Sequence, residues 1–155
     1  MPCCTTCSFQ STHSIEFIGI GQHEVSWQGV KFLLQTCYDI RFPVFSRNRV
    51  CGKSYDYDAI IYVANFPTAR EIAWRTLTAA RAIENEAFVV AVNRTGVDPY
   101  CNYSGGSVLW DSFGQVVAQC TDKEEIVVAE LDIDELYSRR RRFPTLSDGD
   151  LYNIE

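Results

Sequence analysis

Residues 31–48 have the sequence KFLLQTCYDIRFPVFSRN, and this stretch organises the prediction for the whole chain. It begins within an apolar run over residues 30–34, which has the length of a buried strand and is too short for a helix. Cys37 follows where the run ends. Pro43 suits the first turn of a helix, because the N–H that proline lacks has no partner there. The stretch therefore predicts a strand, a tight turn carrying a thiol, and a helix over residues 44–49.

The position of Cys37 allows two interpretations. A thiol at the carboxyl end of a strand, facing backbone N–H groups and a helix start, is biased toward the nucleophilic thiolate. The same N–H groups can stabilise the negative oxygen of a tetrahedral intermediate. The alternative is a structural residue, because free cysteine is among the most buried residue types. The thiol alone favours this second interpretation.

The next part of the chain predicts a strand–helix–strand unit. Residues 59–64 (AIIYVA) form a continuous apolar run, as expected for a strand covered on both faces. Thr68 and Glu71 have the spacing of a capping box at the start of a helix that reaches about Asn85. Residues 88–92 (FVVAV) are a second buried strand, so the unit is a crossover within one sheet.

Shorter elements complete the predicted α/β fold, which has mixed strands and helices on one side. Towards the N-terminus we expect a strand over residues 15–20, a hairpin of residues 23–27 and 30–35 turning at Gln28-Gly29, and a loop over residues 52–57. Towards the C-terminus we expect strands over residues 107–110, 115–120 and 125–131, then a helix from Asp132 or Asp134 to about Arg142 and an extended tail over residues 143–155.

Composition limits the class of protein. A chain of 155 residues with 46% hydrophobic content is most naturally one globular domain. Its net charge of −6 argues against a nucleic-acid partner, and no apolar run has the length needed for a membrane span. We find no export signal, so the seven cysteines are expected to be reduced thiols of a cytoplasmic protein.

The first residues differ in composition from the rest. Residues 1–14 are rich in Cys, Ser and Thr, and they include Cys4 and Cys7 as a CxxC pair with His13 further on. A structural zinc site needs four ligands, normally as two spaced pairs, so we expect no metal site here. We expect two parts, an unmatched and aberrant leader over residues 1–24 and a domain over residues 25–155.

Five segments of that domain resemble the carbon–nitrogen hydrolase (nitrilase) superfamily, most closely its omega-amidase branch. In chain order they are WQGVKFLLQTCYDIRFPVFSRN, YDAIIYVANFP, WRTLTAARAIENEAFVVAVNRTG, YSGGSVLWDSFGQVVA and YSRRRRFPTLSD. The resemblance implies that the domain is part of a four-layer α-β-β-α sandwich whose subunits pair through helices, so we expect a homo-oligomer, most simply a dimer. It also implies that the N-terminal half of the fold is missing from this fragment, for example through a frame shift.

The resemblance implies a thiol-dependent amidase that uses no cofactor. Cys37 matches the family's nucleophile, and the backbone N–H of Tyr38 would be one oxyanion donor. The implied substrates are small omega-amides of dicarboxylic 2-oxo acids, which are converted to acid and ammonia through a thioester. In the family a glutamate is the general base and a lysine stabilises the intermediate. We match neither role to a residue here, so we expect this chain to be weakly active or inactive.

Other residues have open alternatives. Two roles are open for Arg41. It could bind a substrate carboxylate, or it could support the turn through a buried ion pair with Glu84. Asn65 and Phe66 line the pocket, since ligands of α/β proteins favour the carboxyl ends of strands, or they are ordinary turn residues. The arginines at positions 139–142 suggest nucleic acid, but at the end of a helix they more often complement its dipole and stay solvated.

Two rival functions remain beside the amidase. The chain is a non-catalytic remnant that pairs with another chain, or, more weakly supported, a small metal-binding protein built on the cysteine leader.

Overall fold

The structure is a computed structural model, and it describes residues 23–150. The strands are β1 His23–Trp27, β2 Val30–Thr36, β3 Val50–Cys51, β4 Ser54–Tyr55, β5 Ala59–Ala64, β6 Phe88–Asn93, β7 Thr95–Val97, β8 Asn102–Ser104, β9 Val108–Trp110 and β10 Val116–Gln119. The α-helices are α1 Glu71–Glu84 and α2 Ile133–Arg142. Short 3-10 turns are Cys37–Arg41, Pro43–Ser46, Thr68–Arg70 and Thr145–Asp148.

Six strands form one sheet in the order β1-β2-β5-β6-β9-β10. The central strands β2, β5 and β6 are parallel, and the flanking pairs are antiparallel. The predicted strand–helix–strand unit is confirmed, because α1 connects the parallel neighbours β5 and β6. The carboxyl ends of the three parallel strands therefore meet at one edge of the sheet.

The hairpin of β1 and β2 is also confirmed. Gln28 and Gly29 both have left-handed backbones, with φ of 49° and 84°. Two consecutive residues with positive φ are what a two-residue hairpin turn needs to follow the twist of its strands. The hairpin adds an edge strand beside the parallel centre.

Helices cover both faces of the sheet, which corrects the expectation that they lie on one side. Trp74 of α1 is buried against Leu33 and Ile60 on the first face. Leu136 of α2 is buried against Ala59 and Phe88 on the second face. Because side chains alternate along a strand, Ala59 and Ile60 belong to opposite faces. Each face of the sheet therefore has its own apolar cluster.

The predicted helix over residues 44–49 is wrong, and the chain forms the 3-10 turn Pro43–Ser46 instead. Side chains from other parts of the chain form hydrogen bonds with backbone groups that would pair with each other in a helix. The Gln35 amide donates to the Phe45 carbonyl at 3.3 Å, and the Asn48 N–H donates to the Asn85 side chain at 2.9 Å. These bonds join positions far apart in sequence, so local pattern did not predict them.

The capping box at Thr68 is wrong, because α1 begins at Glu71 and the Thr68 hydroxyl donates to the Asn102 carbonyl at 3.0 Å. The cap of α2 is confirmed at Asp132, whose carboxylate accepts from the Glu135 N–H at 2.9 Å. Residues 125–131 form no strand, since their backbone makes no ladder with the edge strand β10.

Two hairpins were missed and the tail was mispredicted. Residues 52–57 include β4 of the β3–β4 hairpin, and the β7–β8 hairpin had no prediction. Residues 145–148 form a 3-10 turn with Leu146 buried, not an extended arm. The strand expected over residues 15–20 lies outside the described residues.

The arginines at the end of α2 are not all solvated. Arg139 and Arg140 are buried, at 8% and 2% exposure, whereas Arg141 and Arg142 are exposed. Burial of two guanidinium groups gives this end of α2 a structural role. Neither α-helix within residues 23–150 combines the length and the apolar character that crossing a bilayer requires.

Candidate active site

Cys37 lies directly after β2 and opens the 3-10 turn Cys37–Arg41, which we call the Cys37 turn. Its φ is 41°, a left-handed backbone that costs an L-residue about 1–2 kcal/mol. The side chain is half-buried and packs against the cluster below α1. The Asp39 carboxylate closes the turn by accepting from the Thr36 N–H at 2.8 Å. A cysteine held in a rare conformation at a sheet edge marks a candidate functional site.

The sheet register brings the predicted site residues to this edge. Thr36 pairs with Val63, and Val63 pairs with Val92 on the next strand. Cys37 and Asn65 therefore emerge at the same edge. Asn65 is exposed and Phe66 is buried at 3% exposure. The rim of the site is thus formed where β2 and β5 end.

Arg41 lies over aromatic rings at this rim. Its guanidinium carbon is 5.6 Å from the Phe66 ring centroid and 6.0 Å from that of Tyr38. Arg70, which the sequence reasoning missed, approaches Phe66 at 5.9 Å. The sequence did contain a signal for Arg70, because it closely follows residues 65–67 (NFP), where the strand predicted over residues 59–64 ends. Two guanidinium groups therefore lie within cation–π distance of one aromatic ring at this rim.

Asn93 fixes the backbone of Phe66 from the neighbouring strand end. Its side-chain oxygen accepts from the Phe66 N–H at 2.7 Å, and its NH₂ donates to the Phe66 carbonyl at 3.0 Å. The NH₂ also donates to the Gly105 carbonyl at 2.7 Å. Sequence reasoning missed Asn93, although a polar residue that ends a buried strand was a usable signal.

A buried hydroxyl network supports the segment after the Cys37 turn. The Ser46 hydroxyl donates to the Gln35 side-chain oxygen at 2.8 Å and lies 3.1 Å from the Tyr62 hydroxyl. The Tyr57 hydroxyl donates to the Ser46 carbonyl. Burial raises the pKa of Tyr62 to about 12, although the hydrogen bond with Ser46 opposes this shift. The network is therefore neutral at ordinary pH.

Glu84 pairs with Arg81 and not with Arg41, which corrects the predicted ion pair. The Arg81 guanidinium lies 2.8 Å from the Glu84 carboxylate. A second nitrogen of Arg81 donates to the Ile40 carbonyl at 2.6 Å. Glu84 therefore supports the Cys37 turn through Arg81.

Glu24 lies in β1 and Lys31 lies near the start of β2, and neither is next to the Cys37 thiol. Lys31 precedes Cys37 by six residues, about 20 Å along an extended strand. Its ammonium donates to the Ser54 hydroxyl at 3.2 Å and to the Tyr55 carbonyl. Glu24 pairs across the hairpin with Leu33, and burial raises its pKa, with Asp56 adding to the shift.

The leader cysteines Cys3, Cys4 and Cys7, together with His13, lie outside the described residues. Between residues 23 and 150, no three His, Cys, Asp or Glu side chains lie close enough together to hold a metal ion.

Known proteins resemble this chain in sequence. A family model described as Carbon-nitrogen hydrolase matches residues 6–141. The chain is 45% identical over 130 residues to the omega-amidase YafV of Yersinia enterocolitica, covering 83% of this chain and 49% of that protein. It is 38% identical over 126 residues to the 2-oxoglutaramate amidase of Bacillus subtilis, covering 80% of this chain and 48% of that protein.

A solved structure is similar over most of the chain. It is a CN-hydrolase superfamily protein of Xanthomonas campestris with an arsenic adduct in its active site, with a TM-score of 0.85 and 42% identity. The match covers 88% of this chain and 53% of that one. The chain thus spans about half the length of the curated relatives it matches. On the family match, the relatives and the shared α/β sandwich fold, this chain belongs to the carbon–nitrogen hydrolase (nitrilase) superfamily, in its omega-amidase-like branch.

Proposed function

We propose that this chain carries the nucleophile of a thiol-dependent amidase, and that the nucleophile is Cys37. The left-handed backbone of Cys37 at the carboxyl edge of the sheet is the observation that carries the proposal. The names of the relatives, omega-amidase and 2-oxoglutaramate amidase, support the substrate class. That class is small omega-amides of dicarboxylic 2-oxo acids.

The proposed reaction has two steps. The sulfur of Cys37 attacks the amide carbonyl carbon, and the Tyr38 N–H stabilises the oxygen that becomes negative. The C–N bond then breaks, the nitrogen takes up a proton equivalent to the one that the thiol lost and leaves as ammonia, and a thioester remains. Water hydrolyses the thioester to the carboxylic acid and restores the thiol.

Arg41 is proposed to bind the remote carboxylate of the substrate. It has a partly exposed guanidinium near Phe66, and a guanidinium fork matches the geometry of a carboxylate. Asn65 and Phe66 would line the pocket beside it. The exposed Asn65 supplies polar groups, and the buried Phe66 supplies an apolar wall.

The 155-residue chain is expected to release ammonia slowly. A positioned general base typically contributes about 10²–10⁴-fold to a rate, and we assign that role to no residue of this chain. Ammonia release at rates typical of whole omega-amidases would contradict this expectation.

Selective alkylation tests the nucleophile. The chain is treated with iodoacetamide at neutral pH, and each cysteine is quantified by peptide mass spectrometry. We expect Cys37 to react before Cys51, although Cys51 is exposed and Cys37 is half-buried, because a nucleophilic site favours the thiolate. Excess omega-amide should slow the labelling of Cys37 alone. Labelling that follows exposure, or that is concentrated in Cys3, Cys4 and Cys7, would overturn the proposal.

A second candidate function is a non-catalytic partner in an assembly, and the sheet supports it. Val63 and Val92 lie on the face of the sheet next to the α2 cluster and are 52% and 46% exposed. Adjacent exposed apolar residues mark interaction surfaces. The proposed occupant is a second copy of this chain.

Sedimentation at increasing concentration tests this assembly. A dimer that is lost in Val92→Asp but kept in Val97→Asp, a change at an exposed position in β7, would support it. A monomer at all concentrations would reject it.

A further inference from the structure

We propose that Arg81 is the positioning residue of the Cys37 turn and that it acts through the Ile40 carbonyl. The inference rests on the proposed function only in taking Cys37 as the nucleophile. The proposed function fails on the labelling of the wild-type chain, whereas this inference fails on the comparison of variants with the wild type, so the two proposals fail separately.

Arg81 reaches the turn from inside the protein. It lies on the inward face of α1 and is 3% exposed. One of its terminal nitrogens donates to the Ile40 carbonyl at 2.6 Å, across 41 positions in sequence. Ile40 belongs to the Cys37 turn and is itself fully buried. A short bond from a charged donor to a backbone carbonyl fixes backbone position more firmly than a neutral one.

Glu84 orients the guanidinium. Its carboxylate lies 2.8 Å from the other terminal nitrogen of Arg81, one helical turn further along α1. The backbone carbonyl of Glu84 also accepts from the Arg47 guanidinium at 2.9 Å. The last turn of α1 therefore contacts the chain on both sides of Pro43–Ser46. The Cys37 turn and the segment behind it are held as one unit.

The backbone of Cys37 explains why such support matters. A left-handed L-residue persists only where its surroundings favour it over the relaxed conformations. Ile40 ends the first helical repeat after Cys37, so a fixed Ile40 carbonyl limits rotation of the turn. Loss of that restraint would let Cys37 relax and would turn the sulfur away from its present direction.

If Arg81 only stabilised the fold, its replacement would lower the stability of the chain and leave the reactivity of Cys37 unchanged. The Glu84 side chain is 36% exposed, so water can solvate its carboxylate when Arg81 is replaced, and ion pairs open to solvent add little stability. The Nε of Arg81 is buried and has no hydrogen-bond partner in the described part of the chain, which adds a cost to the native arginine. The change Arg81→Met can therefore leave the fold intact while freeing the turn.

The experiment measures the alkylation of Cys37 by iodoacetamide in the 155-residue chain. The rate is expressed as a ratio to the rate at Cys51 of the same molecule, from about pH 6 to about pH 10, the range in which thiols titrate. The variants are Arg81→Met, Arg81→Lys and Glu84→Gln, with circular dichroism to verify folding. The control is Arg75→Met on the same helix, since the Arg75 side chain makes no hydrogen bond or ion pair with residues 23–150.

We expect the Cys37-to-Cys51 ratio to fall about tenfold in Arg81→Met, the size of effect that follows from losing a bond to a charged donor. Arg81→Lys should recover part of the ratio, because its ammonium can still donate to the Ile40 carbonyl. Glu84→Gln should lower the ratio less, and Arg75→Met should leave both the ratio and its pH profile unchanged.

Two outcomes would overturn the proposal. The first is a folded Arg81→Met chain whose ratio and pH profile match the wild type. If that variant does not fold, unchanged profiles in both Arg81→Lys and Glu84→Gln would overturn the proposal in its place. The second is an equal change in Arg75→Met, which would assign the effect to α1 in general.

Discussion

Asp58 and Arg140 form an ion pair of 2.8 Å between side chains that are 0% and 1% exposed. Arg140 also donates to the backbone carbonyls of Glu86 and Tyr57, both at 2.9 Å. Asp58 accepts from the Lys31 N–H at 3.0 Å and from the Tyr137 hydroxyl at 2.9 Å. The pair thus joins α2 to the starts of β2, β5 and β6.

Removal of one partner should be strongly destabilising. We expect Asp58→Ala to lower the free energy of unfolding by about 3–5 kcal/mol, because the Arg140 charge remains buried without its counter-ion. Urea unfolding followed by circular dichroism measures this. The control is Glu135→Gln, which breaks the exposed pair of Glu135 with Arg142 and should change stability by less than about 1 kcal/mol. Equal effects of the two changes would contradict the structural role of the buried pair.

The support of Phe66 by Asn93 gives a second prediction. Asn93→Ala leaves the buried N–H and carbonyl of Phe66 without these partners, and each loss costs about 1–3 kcal/mol. Urea unfolding of the variant should show the loss. Asn102→Ala, at an exposed position of β8, should stay within about 0.5 kcal/mol of the wild type. A stable Asn93→Ala chain would show that Phe66 is held by other contacts.

The β1–β2 turn offers a stabilising change. Gln28 has a left-handed backbone at φ 49°, which asparagine tolerates better than glutamine. We expect Gln28→Asn to raise the free energy of unfolding by about 0.5–1 kcal/mol, the usual size of a single stabilising substitution. The same change at Gln115, which is exposed and lies beside the β9–β10 turn, should be neutral in urea unfolding. A loss of stability in Gln28→Asn would refute the turn geometry.

The buried Tyr62 predicts loss of stability at high pH. Its pKa is raised to about 12, first by burial, so the unfolded chain ionises from about pH 10 while the folded chain keeps its proton. Because the pKa is higher in the folded state, Tyr62 favours folding fully below pH 10 and loses that contribution between about pH 10 and pH 12, by up to about 1.4 kcal/mol per pH unit.

Urea unfolding of the wild type and of Tyr62→Phe at several alkaline pH values measures this contribution. The free energy of unfolding of Tyr62→Phe should fall less steeply as the pH rises. Part of the slope should remain, because burial also raises the pKa of Tyr57. Tyr100→Phe, at a side chain that is 93% exposed, should parallel the wild type. Parallel curves for Tyr62→Phe would show that Tyr62 does not cause the loss.

Sequence pattern predicted the parts of the fold that depend on neighbouring residues. The apolar run of β5, the crossover through α1 to β6 and the β1–β2 turn follow from hydrophobic period and turn chemistry. Prediction failed where distant groups compete for the backbone. The Thr68 hydroxyl donates to the Asn102 carbonyl instead of capping α1. Residues 125–131 do not pair with any strand of the described sheet.

The sequence by itself determined the family of this chain and the position of Cys37 at the end of a strand, because both are written in local motifs and in their order. Only the tertiary structure decided what holds that cysteine. Arg81 donates to the Ile40 carbonyl across 41 positions, and Asn93 binds the Phe66 backbone across 27. Such bonds depend on which strands become neighbours in the sheet, and no pattern within a short stretch of sequence contains that information.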